Sequence, residues 1–215
     1  MKDTPVISVL MSVFNTDFFL VKRAIDSVLL QDFFDFELII IDDGSHNDVK
    51  NQLFNYIKKH ENKITYLWHA NRGQSESVNR GVILSKGKYI TILDADDEYQ
   101  PNHLSSCLKE ISAIDLIASA THTIVEKEED YYVPDKKNNN QLIHVDDCIL
   151  FATLFGKRNV FLDIKFEGQY AADANFFEAA SKKYLVKKVN LRTYTYYRNN
   201  PDSVVARLKV KNKLH

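Results

Sequence analysis

Carboxylates at three places in this chain have the neighbours needed to bind a cation and to move a proton. The first place is Asp42-Asp43-Gly44-Ser45, directly after the apolar run from Phe36 to Ile41. The second is Asp94-Ala95-Asp96-Asp97, directly after Tyr89-Ile90-Thr91-Ile92-Leu93. The third is Asp173, inside Ala171-Ala172-Asp173-Ala174-Asn175-Phe176-Phe177. At a strand end alternate side chains share a face, so Asp94 and Asp96 can reach one ligand. Such oxygen donors suit a hard divalent ion, Mg2+ or Mn2+, and so few of them leave it open to phosphate oxygens. Asp43 could accept the imide N–H of a uracil ring in a charge-assisted hydrogen bond. Asp173 could take a proton from a hydroxyl as a general base. Each has a plain counterpart, because Asp and Gly enter tight turns freely and Asp caps helices.

The elements that must position these acids alternate in the first half. Strands are expected over 6–14, 36–41, 64–68, 89–93 and 116–124, with Trp68 packed in the core. Helices are expected over 18–30, 48–60, 75–84 and 101–111, from apolar residues at helical spacing. Such alternation implies a mostly parallel central sheet flanked by helices, and ligands then sit beyond the carboxyl ends of the strands. Residues 126–141 read as an exposed loop or loose hairpin. After them come a helix over 145–154, a short strand near 160–162, a helix over 173–183 and a strand over 193–198. We read 1–215 as one α/β domain, with a smaller C-terminal portion over 126–215.

Composition narrows the class. A formal net charge of −1 gives the chain no general attraction for nucleic acid. No apolar stretch is long enough to cross a bilayer, and no signal-peptide pattern opens the chain. The two cysteines, Cys107 and Cys148, lack metal-ligand spacing and read as unpaired thiols in a reducing, cytoplasmic compartment. The basic residues at 207–215 leave open a peripheral contact with the inner face of a membrane.

In order along the chain, these blocks resemble the inverting nucleotide-sugar glycosyltransferases of family 2, which have the GT-A (Rossmann-like) fold. The resemblance rests on Ile7-Ser8-Val9-Leu10-Met11-Ser12-Val13-Phe14-Asn15, Ser27-Val28-Leu29-Leu30-Gln31, the Asp42–Ser45 block, Asn71-Arg72-Gly73, Asn79-Arg80-Gly81 and Gly87 through Asp97. It implies a nucleotide-diphospho-sugar donor, a UDP-sugar, bound by residues 1–125. It also implies a glycan or lipid-linked hydroxyl acceptor on the side of residues 126–215. Asp43 would hold the uracil, with Ser12 and Asn15 lining the base pocket. Asp94 would approach the ribose or the metal, Asp96 would bind Mn2+ or Mg2+, and Asp173 would be the base of a single inverting displacement. Asn200 stands where the family carries a metal-side histidine.

Three positions depart from the family pattern. Val78 replaces a donor-binding arginine, for which Arg72 or Arg80 could substitute, and Asn200 replaces the histidine. Ala172 replaces a glutamate, and losing that like charge implies a lower-titrating Asp173. A sugar-nucleotide binder without catalysis and a phospho-receiver signalling domain are the rival readings. The processive synthases' Gln-X-X-Arg-Trp motif is missing, so transfer of a single sugar is the expectation.

Overall fold

The computed structural model describes residues 4–136, 138, 141–168 and 170–198. The elements of the first half lie close to the sequence expectation: β1 (Ile7–Val13), α1 (Phe18–Leu29), β2 (Phe36–Asp42), α2 (Val49–Ile57), β3 (Ile64–Trp68), α3 (Gln74–Leu84) and β4 (Tyr89–Ile92). Then follow β5 (Glu98–Tyr99), α4 (His103–Glu110), β6 (Leu116–Ser119), β7 (His122–Ile124), β8 (Tyr132–Pro134) and β9 (Leu142–His144). The chain continues through β10 (Leu154–Lys157), α5 (Arg158–Asp163), α6 (Ala172–Ser181), β11 (Val186–Val189) and β12 (Tyr194–Tyr197).

A seven-stranded sheet in the order β11-β6-β10-β4-β1-β2-β3 forms the middle layer. Only β10 runs antiparallel to its neighbours, β4 and β6. Strand β1 lies between β2 and β4, so the chain first builds outward to β3 and then crosses back to β4. That reversal opens a crevice at the carboxyl ends of β1 and β4. Alternate residues of the strands feed two cores. Val9, Met11, Leu38 and Ile40 pack with α1, α2 and α4, whereas Leu10, Ile39, Ile41 and Ile92 pack with α3, α5 and α6. A second sheet, β5-β12-β7, and the β8–β9 hairpin lie apart from the main sheet.

The second half corrects several expectations. The run 116–124 is two strands: Ala120 N–H closes the main sheet on Val189 O at 3.0 Å, and the chain then crosses to β7 in the small sheet. The helix expected over 145–154 is two separate 3₁₀ turns, Val145–Asp147 and Phe151–Thr153. Side chains there compete for backbone groups: Thr153 Oγ1 accepts from Leu150 N–H and donates to Leu150 O, and His144 Nδ1 accepts from Asp146 N–H. The strand expected near 160–162 is helix α5, and the strand lies just before it as β10. Strand β11 reads Val-Lys-Lys-Val, and its exposed lysines suit the sheet edge it occupies. Trp68 is 48% exposed with Lys50 Nζ 5.0 Å from its ring centroid, so it is not a core residue.

Gly87 shows how tightly the strands feed the sheet. A Cβ there would lie 2.5 Å from Ser8 N and 2.7 Å from Ile7 C, both backbone atoms that cannot swing aside. Gly87→Ala is expected to destabilise the fold by about 1–3 kcal/mol, the usual scale for overpacking. Urea denaturation would read this as a lower midpoint at unchanged slope.

Candidate active site

The Asp42–Ser45 turn leaves β2 at the crevice. Asp42 is fully buried and points inward, where it accepts from Ser45 N–H at 2.7 Å and from the Tyr66 hydroxyl. Asp43 is 3% exposed. Its carboxylate accepts from Arg72 N–H at 2.7 Å, Gly73 N–H at 2.8 Å and the Asn71 side-chain amide at 3.1 Å. His69 Nδ1 lies 3.4 Å from the same carboxylate, and its Nε2 is 3.2 Å from Ser77 Oγ on α3. The glycine-bearing block is therefore wrapped around Asp43. Gly44 has φ +81°, and a Cβ on it would lie 2.6 Å from Asn71 N, so the turn requires glycine.

Asn15 takes a left-handed φ of 52° just beyond β1. Its N–H donates to Ser45 Oγ and its side-chain oxygen accepts from His46 N–H, each at 3.0 Å. Ser12, half-buried, pairs with Ile41 across the β1–β2 register. The fold thus brings Ser12, Asn15 and Asp43 to the carboxyl ends of two adjacent strands.

The Asp94–Asp97 turn leaves β4 on the other side of β1. Gln74 Nε2, in the first turn of α3, donates to Asp94 Oδ1 at 2.8 Å. Burial pushes the Asp94 carboxyl up to about 7, and the charges of Asp96 and Asp173 push the same way against the Gln74 hydrogen bond. Asp97 is 1% exposed and turns the other way. It accepts from the Tyr194 hydroxyl and from Tyr197 N–H at 2.8 Å, both on β12. Burial, then Asp94 and Asp96, raise it well above the usual carboxylate range, while the two donors pull it down.

Asp173 lies in the first turn of α6, after Ala171 at φ 52°. It is not the N-cap; its Oδ1 accepts from Ala174 N–H at 2.8 Å. Burial pushes it up to about 6 despite the opposing N–H groups of residues 173, 174 and 151 and the charge of Lys136. The loss of the neighbouring glutamate implies a lower titration only relative to chains that carry it, and burial raises Asp173 from its ordinary value all the same. Lys136 reaches this helix from beyond β8, with Nζ 2.6 Å from Glu178 Oε2 and 3.3 Å from Asn175 Oδ1.

The charge of Asp173 is among those that raise Asp94, so the late acid lies within electrostatic reach of the Asp94–Asp97 turn. Among the described residues, no group of three His, Cys, Asp or Glu side chains is placed to hold a metal by itself. Asp94 and Asp96 offer two hard oxygen donors whose mutual repulsion a divalent cation would relieve, so the donor set fits one that takes its other ligands from a diphosphate. Asn200 and residues 207–215 lie outside the described residues. Val78 is buried in the α3-side core, and Arg80 pairs with Glu76 at 3.2 Å on α3. Sequence reasoning passed over Gln74, Arg23 and Lys136; of these, only Gln74 carried a signal, standing between the Asn71–Gly73 block and the helix it opens.

Two outcomes are expected. Asp94 and Asp173 hold protons in the folded chain that the unfolded chain releases from about pH 4 upward, so without metal their contribution to stability declines as pH rises from about 4 to about 7. Asp94→Asn therefore gains stability relative to the parent chain across that window, in urea denaturation with chelator present; identical pH slopes would contradict the assignment. Asp43→Ala leaves the Arg72 and Gly73 amides without their acceptor, at roughly 1.5–3 kcal/mol per hydrogen bond to a charged group. Hydrogen exchange at those two amides should accelerate ahead of the β1 and β2 amides.

The chain is 41% identical over 107 residues to the putative colanic acid biosynthesis glycosyl transferase WcaA of Escherichia coli, covering 49% of this chain and 37% of that one. It is 35% identical over 107 residues to the GalNAc(5)-diNAcBac-PP-undecaprenol beta-1,3-glucosyltransferase of Campylobacter jejuni, covering 49% and 34%. The chain spans 60% or less of the length of these curated relatives and of an uncharacterized glycosyltransferase of Rickettsia prowazekii. Among solved structures, S. aureus TarS 1-349 in complex with UDP-GlcNAc superposes with a TM-score of 0.69 at 17% identity, covering 94% of this chain and 60% of that one. The mannosyltransferase PcManGT of Pyrobaculum calidifontis, in complex with GDP-Man and Mn2+, superposes with a TM-score of 0.72 at 13% identity, covering 98% and 61%. The fold is thus GT-A, which removes the phospho-receiver reading. Residues 8–185 match the sequence profile described as glycosyl transferase family 2. That match runs from within β1 to the residue before β11, and the chain belongs to glycosyl transferase family 2.

Proposed function

We propose that this chain transfers one sugar from a nucleotide-diphospho-sugar, a UDP-sugar, to a hydroxyl of a glycan or lipid-linked acceptor in surface polysaccharide or oligosaccharide synthesis. The observation that carries the proposal is the convergence of Asp94, Asp96 and Asp173 in one electrostatic cluster at the crevice where β4 ends. A UDP-GlcNAc complex of one structural neighbour supports the donor class, and the undecaprenol-linked name of one relative supports the acceptor class.

In this reading residues 1–125 hold the donor and residues 126–215 face the acceptor, within one domain. Ser12, Asn15 and Asp43 line the base pocket. Asp43 keeps its carboxylate fixed by the amides of residues 72 and 73, so it meets the base without reorganising. Asp94 would approach the ribose or the cation, and Asp96 would hold the cation, Mn2+ or Mg2+, with Asn200 as the ligand implied by its place in the sequence alone. When bound, that cation would neutralise charge on the departing diphosphate. Asp173 accepts the proton of the incoming hydroxyl. A carboxyl at about 6 holds a proton more firmly than an ordinary aspartate and is still ionised at neutral pH, as a general base requires. Attack opposite the leaving group inverts the anomeric carbon, and most of the acceleration comes from positioning.

No described helix is long and apolar enough to cross a membrane. We place the enzyme in the cytoplasm, meeting its acceptor at the inner face of the membrane.

Donor turnover with Mn2+ or Mg2+ tests the roles. Asp173→Ala should lose about 100-fold or more of its turnover, on the scale of general-base catalysis, while still binding UDP. Asp96→Ala should lose turnover together with metal-dependent UDP binding. Near-parental activity in both variants refutes the assignment, and NMR of the product's anomeric proton decides inversion.

A further inference from the structure

Helix α1 carries a polar seam on the side that faces the segment after the Asp94–Asp97 turn. Arg23 and Ser27 stand at i and i+4 on one side of the helix, and Gln31 follows just past its C-terminal end. Each is bonded to a successive stretch of the same segment. Gln31 Nε2 donates to Gln100 O at 2.8 Å, and its oxygen accepts from Leu104 N–H at 2.9 Å. Ser27 Oγ accepts from Tyr99 N–H at 3.1 Å. Arg23 Nη2 donates to the backbone carbonyl of Asp96 itself.

Arg23 differs from the other two because it meets the acid-bearing turn and the small sheet at once. Its Nε lies 3.2 Å from Glu98 Oε1, and its guanidinium lies 4.0 Å from the centroid of the Tyr197 ring. Tyr197 in turn donates its hydroxyl to Glu98 Oε1 at 2.7 Å and its N–H to Asp97 Oδ1 at 2.8 Å. One planar cation therefore ties the Asp96 carbonyl, the Glu98 carboxylate and the Tyr197 ring together behind the turn. Nη2 makes the hydrogen bond to the carbonyl, while Nε meets Glu98 as an ion pair without a hydrogen bond, and a planar cation with a stacking face suits arginine and not lysine.

We propose that Arg23 is a positioning residue for cation binding: it fixes the backbone of the Asp94–Asp97 turn from behind, so that the carboxylates of Asp94 and Asp96 present to one ion. This rests on the metal-dependent donor reading above. Outer groups that orient a metal's ligands commonly set its affinity without touching it. Ser27 and Gln31 act further along the segment and hold the fold.

The test titrates Mn2+ into the protein with UDP present and follows free Mn2+ by electron paramagnetic resonance, with thermal unfolding measured alongside. Arg23→Met should raise the Mn2+ needed for half-saturation roughly ten-fold or more, on the usual scale for such groups. The side chain lines an open cleft of about 510 Å³ between α1 and β5, so its truncation seals no void. Arg23→Lys keeps the charge but loses the planar stacking face; it should fall between the two, and it remains informative should Arg23→Met not fold. Gln31→Ala should lower the unfolding midpoint and leave the Mn2+ titration unmoved. An unchanged titration in both Arg23 variants overturns the proposal, as does a Gln31→Ala variant that weakens Mn2+ uptake equally. A parent chain that binds UDP but takes up no Mn2+ overturns the metal-dependent reading and this inference with it.

Discussion

Like-charged carboxylates gathered at the end of one strand repel each other, and much of this structure is arranged around holding them there. Asp94 feels Asp96 and Asp173, and Asp97 feels Asp94 and Asp96. Partial burial weakens the screening that water would provide. The turn stays in place because three elements hold it: Gln74 from α3, the tyrosines of β12 at Asp97, and α1 through Arg23 at the Asp96 carbonyl. Burial first, and that repulsion second, raise the affinity of Asp94 and Asp97 for protons, and a bound cation would relieve the repulsion.

The strand-end aspartates divide into two kinds by direction. Asp42, Asp43 and Asp97 turn inward and take backbone amides or tyrosine hydroxyls as partners. Asp94 and Asp96 stay partly exposed at the crevice. Asp42 and Asp97 shape the loops, Asp94 and Asp96 offer oxygens to a ligand, and Asp43 holds its loop while standing at the proposed base pocket. The turn after β4, closed by Asp97 N–H on Asp94 O at 3.2 Å, sends Asp97 inward while Asp96 stays half-exposed.

The small sheet joins the two halves of the chain. Strand β5 follows the acid-bearing turn directly, and β12 comes from the end of the described residues to pair with it. Through Asp97, Tyr194 and Tyr197, the late strand becomes part of the support for an early motif. Cys107 and His103, in contrast, are buried beside Tyr99, where burial pushes His103 down to about 3 and the thiol up. That cluster packs the wall behind the site and has no access to its chemistry.

By itself the sequence determined the alternating first half, because long apolar runs and helical spacing leave few ways to bury those side chains. It also determined which acids stand at strand ends, since Asp42–Asp43 and Asp94–Asp97 directly follow such runs. Tertiary structure decided the rest. A three-residue apolar stretch fits a strand or a helix equally, so Val160–Leu162 was settled by what it packs against, whereas 145–154 broke into two 3₁₀ turns where side chains took its backbone groups. The break after Ser119 depends on β7 finding β12, a partner over 70 residues away. The burial that raises Asp173 comes from residues remote in the chain, as does the grip of Arg23 on Asp96. A sequence names the groups, but their shared field exists only once distant segments exclude water together.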